Sequence, residues 1–291
     1  MKKPLSYLPL ALITLMATSS KENIVKLTEE YPAISNSANI ETVSRHVDNY
    51  LDFENATVSG TSHTETLTNN GKGYEIHLYG DGILPQLSTR RSAGDIGLRC
   101  AIPASSIPGK DRSEIETKYN MPFERVRVCA FDVYFDALFP SGGTGLNENN
   151  WLSFTQFWQY SPGMPIITLE VKHGSNLEYQ LVVRNDDTGS EVATAPNPWP
   201  VRGYGSLSRG TWIRFALEVK ISPNGGGYVK LYKNGNLEHT YTGKVGYSTA
   251  VVARQNVDWR CGIYRTGGYN WPASTIWLDE IKYGDTLSEV L

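Results

Sequence analysis

From Tyr50 onward the chain alternates short apolar-rich runs with clusters of Gly, Pro, Asn and Asp. The runs are Tyr74–Tyr79, Val126–Phe135, Leu152–Gln159, Ile166–Lys172 and Glu178–Arg184. Four more follow: Trp212–Ile221, Tyr228–Lys233, Arg260–Arg265 and Thr275–Tyr283. They are rich in Val, Ile, Tyr, Phe and Trp, side chains that fit a pleated, half-buried surface. Asn234-Gly235 between two such runs is a hairpin signal, because both central residues of a tight hairpin turn need positive φ. The body shows neither sustained helical periodicity nor a βαβ alternation. The pattern predicts one all-β domain over residues 49–291. Its architecture is a two-sheet jelly-roll sandwich with one curved sheet, whose concave face forms a substrate cleft.

Alternation then assigns sides. In Asp258–Arg265 it buries Cys261 and Ile263 and turns Arg260, Gly262 and Tyr264 the other way. Arg265 points away from Tyr264 unless a bulge re-aims it. Gly262, having no side chain, would let a ligand approach the backbone. In Arg112–Glu116, the residues Arg112, Glu114 and Glu116 share a side. In Phe154–Trp158, Gln156 shares one with Phe154 and Trp158. Taken singly, each segment fits a surface ion pair or a packed aromatic ring equally well.

The N-terminus has a different character. Lys2 and Lys3 precede an apolar stretch, Leu5 to Ala17, that ends in Thr18, Ser19 and Ser20. This is the order of a secretory signal peptide, expected over residues 1–20 with a polar spacer over 21–48. The expectation is a secreted protein with no membrane attachment after cleavage, since no apolar run reaches the roughly 18 residues a spanning helix needs.

With 291 residues, 40% of them hydrophobic, the chain can bury a full core. A net charge of −3 means that an acidic ligand must be held by a local basic cluster rather than by the overall field. No basic stripe or zinc-finger spacing is present, so nucleic acid is excluded as a partner. Cys100, Cys129 and Cys261 lie in apolar, strand-like contexts and read as small buried hydrophobes. No Cys/His spacing forms a metal set. Arg90, Arg91 and Arg99 make a second basic cluster that fits either an extended cleft or a solvated loop.

Three segments together resemble a known set. Jelly-roll alginate lyases carry motifs of the form R-S-E-L-R, Q-I-H and Y-F-K-A-G-x-Y-x-Q. The counterparts here are Arg112-Ser113-Glu114-Ile115-Glu116, Gln156-Phe157-Trp158 and Trp259-Arg260-Cys261-Gly262-Ile263-Tyr264-Arg265. The C-terminal half looks closer to glucuronan lyases and heparin lyase I: Pro165–Val171, Gly210-Thr211-Trp212, the hairpin at Tyr232–Gly235 and a closing Trp277–Ile281. The resemblance spans roughly residues 110 to 285 and implies a concanavalin-like fold that cleaves an acidic, uronate-containing polysaccharide by β-elimination.

By this resemblance Gln156 and Arg112 hold the substrate carboxylate. Tyr264 is the acid and also a candidate base, with His173 the second candidate. Arg260, Arg265 and Arg184 bind neighbouring uronates, Lys172 joins the substrate-binding set, and Trp158 stacks on a sugar ring. Glu114 orients Arg112. The resemblance implies a monomer that requires no cofactor and leaves a structural calcium open. Two positions depart from the family pattern: Trp158 replaces a histidine and Glu116 an arginine. His77 and His173 are the histidines left to substitute.

The chemistry suits these residue types. The proton on C5 is only weakly acidic, so the neighbouring carboxylate must be neutralised, which Arg does by bidentate pairing and Gln by hydrogen bonding. A base must take the proton and an acid must protonate the leaving O4. Two rival readings share the fold. A non-catalytic carbohydrate-binding module would need only aromatic residues, of which seven Trp and seventeen Tyr are available. A glycoside hydrolase needs two carboxylates flanking one bond. Asp279-Glu280 are adjacent rather than alternating, and no E-x-D-x-x-E strand is present.

Overall fold

In the computed structural model of the chain, seventeen strands form among the described residues. The structure describes residues 49–59, 66–70, 72–92, 95–104, 110–140, 151–160, 164–172, 176–188, 200–266 and 272–291. The expected leader (1–20), the expected spacer (21–48) and His173 lie outside the described residues.

The first half supplies β1 (Asn49–Leu51), β2 (Thr57–Ser59), β3 (Thr66–Asn69), β4 (Lys72–Tyr79), β5 (Ile83–Ser92), β6 (Asp95–Ile102), β7 (Lys110–Pro122), β8 (Val126–Phe135) and β9 (Leu152–Trp158). The second half supplies β10 (Ile167–Val171), β11 (Glu178–Val183), β12 (Val201–Ser206), β13 (Trp212–Lys220), β14 (Ser222–Lys233), β15 (Asn236–Val245), β16 (Asn256–Thr266) and β17 (Ser274–Gly284). A short helix α1 (Leu287–Val290) closes the described chain.

All pairings between these strands are antiparallel, and two sheets result. Nine strands run in the order β12-β11-β10-β9-β16-β7-β4-β3-β2. Eight form the other sheet, β15-β14-β13-β8-β17-β6-β5, with β1 paired to β17. The sandwich architecture expected from the alternation is therefore present. The core lies between the sheets, where Phe131 of β8 meets Phe154, Phe215 and Trp259 at ring separations of 6.5, 5.8 and 6.2 Å. Burial of such rings is the main favourable term holding the layers together.

Strand β13 shows how the sequence sets the layers. Ile213, Phe215, Leu217 and Val219 enter the core while Arg214, Glu218 and Lys220 stay partly exposed on the other side. Strand β8 reads as a continuous apolar run because it is covered on both faces. Its Val128 and Ala130 pack, with Ala216, under Val290 of α1. That helix begins with a capping box in which the Glu289 carboxylate accepts the Thr286 backbone N–H at 3.0 Å. Among the described residues no helix is long and apolar enough to cross a membrane. All three cysteines are free and buried, and burial pushes each thiol up, away from the reactive thiolate.

Candidate active site

The middle of the nine-stranded sheet brings the three sequence motifs side by side. Strand β16 lies between β7 and β9, with Tyr264 opposite both Arg112 and Ser153, and Arg260 opposite both Glu116 and Gln156. As alternation requires, Cys261 and Ile263 are buried in the core, and Tyr264 and Arg260 project from the other face beside Arg112, Glu114 and Glu116. Beyond β7, strand β4 adds His77, which sits opposite Glu114.

At one end of this floor, the Arg112 guanidinium lies 4.0 Å from the centroid of the Tyr264 ring. The Trp151 ring meets the same tyrosine edge-on at 4.5 Å, and the Lys110 ammonium stands 5.9 Å from it. Tyr264 is only 7% exposed, yet its hydroxyl makes no hydrogen bond among the described residues. Next to it Glu114 is fully buried. Gln156 Nε2 donates to both of its carboxylate oxygens at 2.7 Å, and Arg112 Nε stands 3.1 Å from Oε2. Glu114 thus stands in ion-pair contact with Arg112. The terminal nitrogens of Arg112 carry no hydrogen bond among the described residues.

The other end is fully engaged. Glu116 Oε2 accepts from Arg260 Nε and Nη2 at 3.0 and 2.6 Å and lies 2.8 Å from His77 Nε2. Burial pushes the Glu116 carboxyl up. The His77 hydrogen bond and the Arg260 guanidinium outweigh this and hold it down at about 2. Arg260 also lies 4.3 Å from the Trp158 ring, and Trp158 stacks on Tyr160 at 4.9 Å. The departure at Glu116 therefore has a physical reason. The carboxylate anchors a guanidinium supplied by β16 in place of one on its own strand. His77 is bonded to Glu116, and no imidazole among the described residues is paired with Tyr264.

Several expectations are corrected. Gln156 does not share a side with Phe154. A bulge in β9, where its register against β10 and β16 shifts around Ser153–Thr155, lets Phe154 enter the core while Gln156 joins the floor. Gly262 does not open the backbone to a ligand. It holds φ +140°, and a Cβ there would lie 2.4 Å from the Ser113 carbonyl oxygen, so the glycine is required by the close approach of β7.

Arg265 faces away from Tyr264 and is fully buried. Its guanidinium donates to Asp111 at 3.0 Å and to the carbonyls of Pro103 and Pro272 at 2.6 and 2.9 Å, leaving it no route to substrate. Arg184 is only 2% exposed and is bound to the Pro165 carbonyl at 2.8 Å and to Glu170 at 3.5 Å, so it is a buried ion-pair partner in the wall of a small pocket shared with Gln156 and Trp151 rather than a free arm in the cleft. Lys172 pairs with Glu178 at 2.6 Å towards the sheet edge, and lies 4.7 Å from the Tyr204 ring. The cluster at Arg90, Arg91 and Arg99 lies on β5 and β6, in the other sheet, where Arg99 lies 6.0 Å from the Trp277 ring. Asp279 and Glu280 also belong to that sheet, so they supply no carboxylate pair to this floor.

Reading the sequence alone missed Trp151, which precedes its strand, and Glu170. The latter is a buried carboxylate held by Thr168 Oγ1 at 2.6 Å and Gln180 Nε2 at 2.9 Å. The alternation Ile167-Thr168-Leu169-Glu170-Val171 already signalled its side.

In structure the chain is similar to the endo-β-1,4-glucuronan lyase of the fungus Trichoderma reesei. The TM-score is 0.52 at 17% identity, over 74% of this chain and 92% of that one. It is more distantly similar to the alginate lyase AlyC3, at TM-score 0.46 and 12% identity over 65% of this chain and 74% of that one. A family 7 alginate lyase gives TM-score 0.46 and 12% identity over 69% and 83%. The glucuronan lyase likeness speaks for the fold. No curated protein matches the chain in sequence. The polysaccharide lyase family model matches residues 50–282, most of the described structure and the whole floor from His77 to Tyr264, and the chain belongs to that family.

Proposed function

We propose that this polysaccharide lyase cleaves a 4-linked uronic-acid polysaccharide by β-elimination at Tyr264. The observation that carries the reading is the Tyr264 hydroxyl. It has no hydrogen-bond partner among the described residues, while its ring is fixed between the Arg112 guanidinium at 4.0 Å and Trp151 at 4.5 Å. A buried tyrosine ordinarily bonds its hydroxyl. One left unbonded beside a cation is placed to exchange a proton.

In the proposed step the substrate carboxylate meets the terminal N–H groups of Arg112, which offset the charge that builds up as C5 loses its proton, while Gln156 holds the neighbouring Glu114. Tyr264, as the phenolate, takes that proton, the C4–O4 bond breaks, a C4=C5 double bond forms, and the resulting phenol passes the proton to the departing O4. With no imidazole beside it among the described residues, one phenol serves as base and acid. That is possible only where the C5 hydrogen and O4 lie on the same face of the ring. Glucuronate and mannuronate have that arrangement, whereas guluronate and galacturonate do not. The similarity to a glucuronan lyase supports the same substrate class.

The test is to incubate the protein with glucuronan, polymannuronate, polyguluronate and heparin while following the ultraviolet absorbance of the unsaturated uronate. Absorbance should rise with glucuronan or polymannuronate. New reducing ends without the chromophore would make the protein a hydrolase, and binding without either would make it a carbohydrate-binding module.

A further inference from the structure

We infer that Tyr160 and Arg254 form an ancillary site for an acidic sugar at the far end of the floor, apart from the Tyr264 centre. The inference rests on the polyuronate reading above. Asp258 is the register partner of Trp158 and lies six residues before Tyr264 on β16, so the site is about 20 Å from the tyrosine along the strand.

Four observations converge there. Tyr160, two residues beyond the end of β9, is 51% exposed, and it stacks on Trp158 at 4.9 Å with 29° between the planes. Its φ of +112° is one that side chains other than glycine rarely adopt, so the backbone is held in a strained conformation that presents the ring. The Arg254 guanidinium lies 5.5 Å from the same ring and is fixed by Asp258 through two hydrogen bonds of 2.7 and 2.6 Å. Lastly, Tyr160 and Arg254 line a cavity of about 410 Å³ together with Val252 and Ala253.

This is the chemistry of a uronate site. An exposed phenol ring offers a flat apolar surface to one face of a sugar. Two of the five N–H groups of Arg254 take no partner among the described residues and are available to a carboxylate. Asp258 holds the guanidinium in place before any ligand arrives, which lowers the cost of ordering it on binding. A neutral sugar would use the ring but leave the guanidinium unmatched.

The experiment compares wild type, Tyr160→Ala and Arg254→Gln on a long polyuronate and on its trisaccharide, with thermal melts to confirm folding. The expected result is a rise in KM on the polymer on the order of tenfold in each variant, with kcat unchanged and trisaccharide kinetics unaltered. Polymer KM unchanged in both variants would overturn the site, as would an equal loss on polymer and trisaccharide. Neutral β-glucan competing with polyuronate for the Tyr264→Phe protein, but not for the Tyr160→Ala form of that protein, would overturn the acidic-sugar assignment. Failure of wild type to generate unsaturated product from any polyuronate would instead defeat the lyase reading itself, so the two failures are distinguishable.

Discussion

The two ends of the floor are built from similar residues and used differently. At the Arg260 end, Glu116 and Trp158 engage the guanidinium, and His77 in turn bonds the Glu116 carboxylate. At the Tyr264 end, the phenol and the terminal nitrogens of Arg112 are left without partners among the described residues, although Glu114 and Gln156 hold the side chains around them in place. Satisfied groups give position; unsatisfied ones are where a substrate can gain bonds that the folded protein does not already make. Charge alone does not separate the two ends. Spare bonding capacity does.

The largest effect expected from breaking this contrast is at Tyr264. Tyr264→Phe should lower kcat by about 10²–10⁴-fold while leaving the melting temperature in place, since the lost hydroxyl has no partner among the described residues. An active Phe variant in the ultraviolet assay would move the chemistry elsewhere on the floor. Next comes Arg265, one residue along the chain and on the opposite side. Arg265→Ala should destabilise by about 3–5 kcal/mol in urea titration by stranding Asp111, with kcat per folded molecule retained. A stable variant with impaired turnover would return Arg265 to the substrate.

Gly262→Ala is expected to cost about 1–3 kcal/mol, because a Cβ 2.5 Å from the Glu114 Cα must push β7 aside. Circular dichroism melts would show the loss, and wild-type stability would mean that β7 yields easily. The smallest effect is expected at Glu116. Its carboxyl sits at about 2 in the fold, below the unfolded value of roughly 4.3. The stability it contributes is therefore complete above the unfolded value and is lost as pH falls from there towards 2. Glu116→Gln should cost about 1–2 kcal/mol near neutral pH and flatten that acid limb of the stability curve. A variant whose acid limb parallels wild type would show that Glu116 is not tightly engaged.

Much of this arrangement was legible in the chain. Period-two alternation placed Arg112, Glu114 and Glu116 on one side of β7, and Arg260 and Tyr264 on one side of β16, because both strands keep regular alternation through those residues. It misplaced Phe154 relative to Gln156, because a bulge depends on how two neighbouring strands pair and leaves no clear mark in its own residues. It could not tell Arg184 from a cleft arginine, because its burial is set by Glu170, fourteen residues away and brought near only by the β10–β11 pairing. The role of Gly262 was reversed for a similar reason: a missing side chain signals close approach, and only the neighbouring strand shows what approaches.

The bulge in β9 has a consequence for how such an enzyme can diversify. Without it, the phase that sends Phe154 inwards would send Gln156 inwards too, and interior and working surface would be locked to a single rhythm. The extra residue gives the two halves of the strand separate phases. The Leu152–Phe154 half can then be held fixed by its hydrophobic neighbours while the half carrying Gln156 and Trp158 is free to vary in what it presents. Substitutions at Trp158 can therefore be tried without disturbing the aromatic interior a few residues away.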